Sequence, residues 1–492
     1  MISPAVATVL LALLLPCALY TWIAFRVRRE IHSVFDYLPF TRHLGSGSVS
    51  ATVVAAGMSM ATVMVALVNL APVLGSALFI TVITFVLGFV VLIFATPHIM
   101  RLNSRNLVLQ AFLGERYGST TVRLTATVFT LIGYLSIFSL ELLVSVTLVE
   151  PYFGSGTMTF ALIYLAFLLT YTAVSGFRGI VATDRWQLVF IALGVAALAA
   201  VVVVGFLGTE QTASWREHAA SLLGRWEAPM AFLVGIALMN IPAPLSDAAT
   251  WQRICAGKDA AIARRGLLFA CGLFALLWGA LILLGIGLSG DPEVLLHWTP
   301  ETEGLLSAVL DSLQAGPLRL SILFVLVVGL FSAMISTADS LLIAATQVVV
   351  NGFGRHERLS EAPQAMLRTS RRLVLGLGLG SFSVFALFQY GGLNVVQLVF
   401  AIYGAQLALF PATAVCVFFG RRLDLPRLRV FAAASVACGF GAAWTTAIWG
   451  HVAGSQNAIY YAPATGLATS AVVMFAGLLF RAAAAKGGSD GL

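Results

Sequence analysis

The sequence predicts an all-α integral membrane protein with about thirteen transmembrane helices. Three observations carry that expectation. First, 60% of the 492 residues are hydrophobic and only 10% are charged, with a mean hydropathy of +0.96. A soluble domain carries about 25% charged residues, and a larger core cannot absorb the deficit, because surface grows with size and must be wetted. Second, the apolar runs reach about 20 residues, the length a helix needs to cross a bilayer, and do not alternate like barrel strands. In lipid every backbone polar group must pair internally, which leaves helices or closed barrels. Third, the basic residues are parcelled between the runs, as a membrane topology places them.

The runs lie near 3–25, 46–70, 76–100, 121–149, 158–176, 185–207, 229–252, 264–289, 317–350, 370–390, 394–419, 430–449 and 459–480. No positive residue precedes the first run, and Arg26, Arg28 and Arg29 follow it. It therefore reads as an uncleaved anchor with its N-terminus outside. Alternation then puts loops 26–45, 101–123, 177–185, 253–265, 352–372, 420–429 and the tail inside, with a cytoplasmic C-terminus. These hold every Lys and Arg except Arg216, Arg225 and Arg319, an asymmetry that obeys the positive-inside rule. The outer loop 290–316 is the complement, with Asp291, Glu293, Glu301, Glu303 and Asp311 and no Lys or Arg. No long polar stretch interrupts the runs, so residues 1–492 read as one membrane domain. The net charge of +7 does not point to nucleic acid, since the basic residues gather on no single face or tail. The five cysteines avoid the outer loops and imply no disulfide framework.

Two runs carry marks of a broken helix. The second holds Ala55-Ala56-Gly57-Met58-Ser59, and the seventh holds Ile241-Pro242-Ala243-Pro244-Leu245-Ser246-Asp247. Proline lacks a donor and clashes with the preceding turn, and freed backbone groups at membrane depth must line a cavity or find a partner. The two runs are five apart. If runs two to six and seven to eleven are inverted repeats, both breaks fall in the first helix of a repeat, where transporters build midplane sites.

Charge inside the runs is the sharper signal. Glu141, Asp247 and Asp339 lie within runs, Asp184 opens the sixth, and no Lys, Arg or His is expected deep in any. A carboxylate in lipid costs roughly 2.5–3.5 kcal/mol by insertion, so each such group is either protonated or neutralised by a mobile cation. In the ninth run Ser336, Asp339 and Ser340 stand at i, i+3 and i+4 and share one helix face, flanked by Thr337. Oxygen ligands on one stripe suit a hard cation. The seven histidines are scattered at loops and run ends, and no CxxC, HExxH or P-loop occurs. Neither an enzyme nor an ATP-driven pump is expected, and no cofactor is implied; energy would come from an ion gradient.

Five segments then resemble the sodium/solute symporter family, which has the LeuT-type fold. They are Asp36-Tyr37 with Arg42, Asn106-Leu107 through Phe112-Leu113-Gly114-Glu115-Arg116-Tyr117-Gly118, Tyr171 through Gln187, Trp251-Gln252-Arg253, and Ser336-Thr337-Ala338-Asp339-Ser340-Leu341-Leu342. The last is close to the family's STADSQLL pattern. The resemblance implies a 5+5 inverted-repeat core, with repeats over 46–207 and 229–419, one extra N-terminal helix over 3–25 and two C-terminal helices over 430–480. It implies a sodium site at Ala55, Met58, Ala333, Ser336 and Thr337, and a second cation site or inner exit route at Asp184, Asp339 and Ser340. It implies a substrate cavity lined by Ser59, Thr62, Glu141, Asp247, Gln397 and Gln406. Gly57 departs from relatives that carry a polar side chain there, and Glu141 and Asp247 stand where neutral amides are common, which argues against a sugar specialist.

The function these features imply is sodium-coupled symport of a small polar organic solute, by alternating access, in the cell inner membrane. The expected partners are the solute, sodium as coupling ion and the lipid bilayer, with no nucleic acid and the oligomeric state open. Two alternatives stand beside it: a proton-coupled carrier, and a solute sensor working with a separate signalling partner.

Overall fold

The structure is a computed structural model that describes residues 3–487 apart from 104, 106, 209–211, 299–303, 354–360 and 392–394. Asn106, Glu301 and Glu303 therefore lie outside the described residues. The described chain is helical, with one isolated pairing of extended backbone between Leu44 and Gly257. Nine segments of the described residues are long and apolar enough to cross a membrane. Two of them, Met60–Leu102 with 43 residues and Thr120–Leu207 with 88, would extend about 65 and 130 Å as straight helices at 1.5 Å per residue, more than one crossing.

Turns divide both. The helices used below are α1 (Pro4–Arg28), α2 (Ser46–Gly57), α3 (Ala66–Leu74), α4 (Phe79–Leu102), α5 (Thr120–Phe153) and α6 (Thr157–Gly208). They continue as α7 (Met230–Asn240), α8 (Ala248–Ala256), α9 (Ala260–Leu288), α10 (Pro317–Gly352) and α11 (Pro363–Gly391). α12 (Val395–Gln406), α13 (Arg429–Val452) and α14 (Ala462–Gly487) complete them. A short turn at Gly75–Leu78 separates α3 from α4, and another at Gly154–Gly156 separates α5 from α6. Ser119 caps α5 by accepting from the Val122 amide, and Asp259 caps α9 by accepting from Ile262.

Both expected helix breaks are present. α2 stops at Gly57, and the chain resumes in a π-turn at Met60–Val65 before α3. α7 stops at Asn240, passes through the turn Ala243–Ser246 and an extended Asp247, and resumes as α8. One expectation needs correction. The loop placed at 177–185 is helical, and the chain bends instead at Gly176 inside α6.

α10 packs most extensively along α6, and α1 lies against both. α9 packs on α2, α3 and α4, while α13 and α14 pack on each other and on α12. The segments singled out in sequence act as joints at one end of this bundle. Arg42 donates to the Met100 and Asn103 carbonyls at 3.1 and 2.9 Å, satisfying the end of α4. Tyr117 donates to the Ala412 carbonyl at 2.9 Å. The amides of His43 and Leu44 donate to the Ala256 carbonyl, and Lys258 donates back to Leu44. The chain just before α2 is thereby tied to the chain just after α8.

Gly176 has φ 56° and ψ −156°, a region open essentially to glycine alone. A Cβ there would also lie 2.5 Å from the Tyr37 ring and 2.6 Å from its carbonyl oxygen. Gly176→Ala is expected to destabilise the protein by about 2 kcal/mol or more. Gly376→Ala, where nothing stands within 4 Å of an added Cβ, is expected to be neutral or to stabilise by up to about 1 kcal/mol as a helix substitution. Thermal unfolding of the two purified variants, compared with the parent, reads the difference.

Candidate functional site

The two breaks leave helix N-termini inside the molecule, and each carries a carboxylate. At the second break Asp247 is extended and caps α8. Its Oδ2 accepts from the Thr250 amide at 2.7 Å and the Thr250 hydroxyl at 2.5 Å. Its Oδ1 accepts from the Ala249 amide at 3.3 Å and from the Tyr134 hydroxyl of α5 at 2.5 Å. At the first break Ser59 caps the resumed helix, its Oγ accepting from the Thr62 amide at 2.9 Å. Ser59 in turn donates to Glu141, which reaches across from α5 and also accepts from the Ala61 amide at 3.4 Å. One cap comes from the chain's own break and the other from a neighbouring helix. Both set carboxyl oxygens at the N-terminal end of a half-helix, where they meet otherwise unpaired backbone amides.

At the opposite end of the first break, the last carbonyls of α2 face α10. Thr337 donates its hydroxyl to the Ala56 carbonyl at 3.1 Å. Ser336 donates to Asp184 Oδ1 at 2.8 Å, and the Thr52 hydroxyl of α2 donates to Asp184 Oδ2. Ala55, Met58, Ala333 and Ser336 are all buried, and Ala333 precedes Ser336 and Thr337 on α10 by one turn. Ser336 and Thr337 are thus brought to a place where a helix C-terminus, two hydroxyls and a carboxylate meet, a set of oxygens suited to a hard monovalent cation.

The second predicted cation set is not held together as one unit. Asp184 belongs to the cluster just described. Asp339 turns toward α6 and accepts from the Tyr171 hydroxyl, with Ser340 Oγ at 3.3 Å. The Ser340 hydroxyl also accepts from Arg253 at 2.5 Å. Arg253, read from the sequence as the first residue of the inner loop 253–265, is instead helical and buried. α8 continues to Ala256, beyond the run as read from the sequence, and draws Arg253 inward to 3% exposure. Its Nε donates to both the carbonyl and the hydroxyl of Thr52 at 3.1 Å, and its Nη1 to the Ala249 carbonyl at 2.9 Å. A guanidinium therefore stands between the Asp184 and Asp339 clusters, joined to each through a shared hydroxyl.

A cavity of about 210 Å³ lies between the two breaks and touches both. Ser59, Thr62 and Asp247 line it, together with Thr337, Ser340 and Arg253. Glu141, Gln397 and Gln406 do not belong to its wall. Glu141 is behind Ser59, engaged in capping. α12 presents Val396, Val399, Phe400 and Tyr403 to the cavity, which turns Gln397 out of register. Gln406 instead reaches the Thr130 carbonyl of α5 at 3.4 Å. Sequence reasoning missed Thr52, Tyr134 and Tyr171, each of which donates to an acid, and Arg253, which joins the hydroxyls of Thr52 and Ser340. Hydroxyls and phenols carry no charge signal in an apolar run, and Arg253 was read as a loop residue because α8 extends past the end of its apolar run.

Removing a carboxylate that accepts four hydrogen bonds should cost more than removing one that accepts a single amide. Asp247→Ala is expected to lower stability by at least about 2 kcal/mol, because the cap is lost and the Tyr134 hydroxyl loses its acceptor. Asp259→Ala, at the cap of α9, is expected to cost about 1 kcal/mol. Thermal midpoints of the two variants under one buffer condition give the order; equal losses would contradict the capping role of Asp247.

No protein-family profile matches the sequence, and no characterised protein matches it at the sequence level. Solved structures do match in fold. A sodium-coupled sialic acid symporter, in a substrate-bound outward-open state with a novel sodium site, superposes with TM-score 0.77 at 15% identity, covering 96% of this chain and 98% of its own. Mhp1, a nucleobase-cation-symport-1 family transporter in a closed conformation with bromovinylhydantoin bound, gives TM-score 0.58 at 12% identity, with 90% and 95% covered. MhsT in complex with L-phenylalanine gives 0.53 at 14% identity, with 89% and 99% covered. The coverage runs from end to end on both sides, and with the two broken helices it assigns the chain the LeuT-type fold.

Proposed function

We propose that this protein is a secondary active transporter that couples inward movement of sodium to uptake of a small organic solute. The observation that carries the reading is the meeting of the α2 end with Ser336, Thr337 and Asp184, beside a cavity bounded by both helix breaks. The sodium ligands would be the carbonyl oxygens of Ala55, Met58 and Ala333 and the hydroxyls of Ser336 and Thr337. Asp184 would receive the ion on its inward path. Binding there would draw the α2 end toward α10 and complete the cavity, which lies against the same residues.

In this reading the chain crosses the inner membrane thirteen times. The N-terminus is outside and the C-terminus cytoplasmic, in keeping with the distribution of Lys and Arg. Repeats 46–207 and 229–419 rock about the cavity, with α1 and the α13–α14 pair as additions. Arg253 supplies fixed positive charge beside Asp184 and Asp339, which favours a single mobile cation over two.

Sodium that binds only the folded state raises stability as RT ln(1 + [L]/Kd), about 2.7 kcal/mol at one hundred times Kd. The thermal midpoint in proteoliposomes is expected to rise with sodium and not with potassium at equal ionic strength. Ser336→Ala should abolish the rise, and an inward sodium gradient should drive solute uptake. A midpoint indifferent to sodium but sensitive to pH would replace sodium with protons as the coupling ion.

A further inference from the structure

The cavity wall built by α4 and α9 carries two buried polar atoms with no partner in the protein, Thr81 Oγ1 and Trp278 Nε1. Both residues line the cavity, and they are 6% and 5% exposed. A buried donor left unpaired is costly, and buried indoles ordinarily find an acceptor. Trp251 in this protein does so, donating to the Leu245 carbonyl at 2.7 Å. Trp278 does not, and its side chain lines the cavity.

The surroundings of these two atoms are aromatic. Phe85 stacks on Trp278 with ring centroids 4.2 Å apart. Phe274 meets Phe85 edge-on at 5.0 Å and Phe89 at 5.2 Å. Phe274 also covers the break in the first core helix: a Cβ on Gly57 would lie 2.6 Å from its ring. The sequence departure at Gly57 thus has a physical reason. The space that a polar side chain would use at that position is filled by a phenyl ring.

The charged groups on the wall are already committed. Asp247 accepts from four donors, and Arg253 is held by Thr52, Ala249 and Ser340. What remains on offer is an apolar, ring-lined surface and two isolated hydrogen-bonding groups. The volume, about 210 Å³, exceeds the roughly 150 Å³ that takes a benzene molecule in an engineered apolar cavity.

We propose that the substrate is an amphipathic solute with an aromatic or branched apolar body. The body packs on Phe85, Phe89 and Phe274. A carbonyl or carboxylate oxygen accepts from Trp278 Nε1, and the Thr81 hydroxyl, one turn from Phe85 on α4, makes a second polar contact. This rests on the reading of the cavity as the substrate site, and it narrows the small polar solute expected from sequence to one with a dominant apolar part.

The test is binding to the purified full chain in sodium buffer, read as thermal midpoint against concentration. Phenylacetate is compared with acetate, and L-phenylalanine with glycine. The aromatic member of each pair is expected to act at a concentration at least tenfold lower. Trp278→Phe keeps the ring and removes the N–H, and should weaken the aromatic probe about tenfold, as loss of one buried hydrogen bond does. Thr81→Val serves as a second variant if Trp278→Phe does not fold. Binding of acetate or glycine as tight as the aromatic probes, or no effect of either aromatic probe up to its solubility, overturns the substrate class. Unchanged affinity in the folded variant overturns the role of its hydrogen-bonding group. Aromatic binding without sodium-driven uptake would leave this inference standing and sink coupled transport, whereas sodium-driven uptake of glycine without aromatic binding would do the reverse.

Discussion

Everything at the centre of this protein follows from the need to satisfy backbone groups where two helices stop inside a low-dielectric interior. Water cannot reach freely to pair them, so each broken end must be met by the protein or by something it binds. The N-terminal ends are met by carboxylates, Glu141 across from α5 and Asp247 in its own chain. The C-terminal end of α2 is met by hydroxyls of α10. A carboxylate completes two of these ends within the protein. The third has only neutral partners and the nearby Asp184, and it is the end at which we propose a mobile cation.

The acids themselves are maintained by neutral neighbours. Tyr134 serves Asp247, Tyr171 serves Asp339, Ser59 serves Glu141, and Thr52 with Ser336 serves Asp184. Arg253 then bridges the Thr52 and Ser340 hydroxyls without directly pairing with an acid. Charge in the interior is therefore spread through hydroxyl relays instead of closed ion pairs. Closed pairs would rigidify the centre, and breaking one is strongly unfavourable.

Much of this was legible in the sequence. The helical class, the two breaks and the cluster around Ser336 came from run length, proline and the spacing of polar residues on one face. The bend at Gly176 was expected as a loop over 177–185, just after it, because a single glycine at positive φ can turn a chain with no polar loop to announce it. The cavity wall was harder to read. Gln397 and Gln406 drew attention as polar residues in an apolar run, yet α12 is rotated so that Val399 and Tyr403 face inward. Aromatic residues in membrane helices carry no sign of which neighbour they will meet, so the cluster of Phe85, Phe274 and Trp278 needed the folded chain to be seen.

The short backbone pairing between Leu44 and the Ala256–Lys258 turn has a mechanical meaning. Three amide hydrogen bonds hold the start of α2 to the end of α8, although some two hundred residues of chain lie between them. Shear along that seam would break all three at once. Any change of access must therefore carry the two segments as a single lever, with the sliding surface elsewhere. The far end of α2, beside Ser336 and Thr337, and the cap of α8 at Asp247 are then linked through a shared handle.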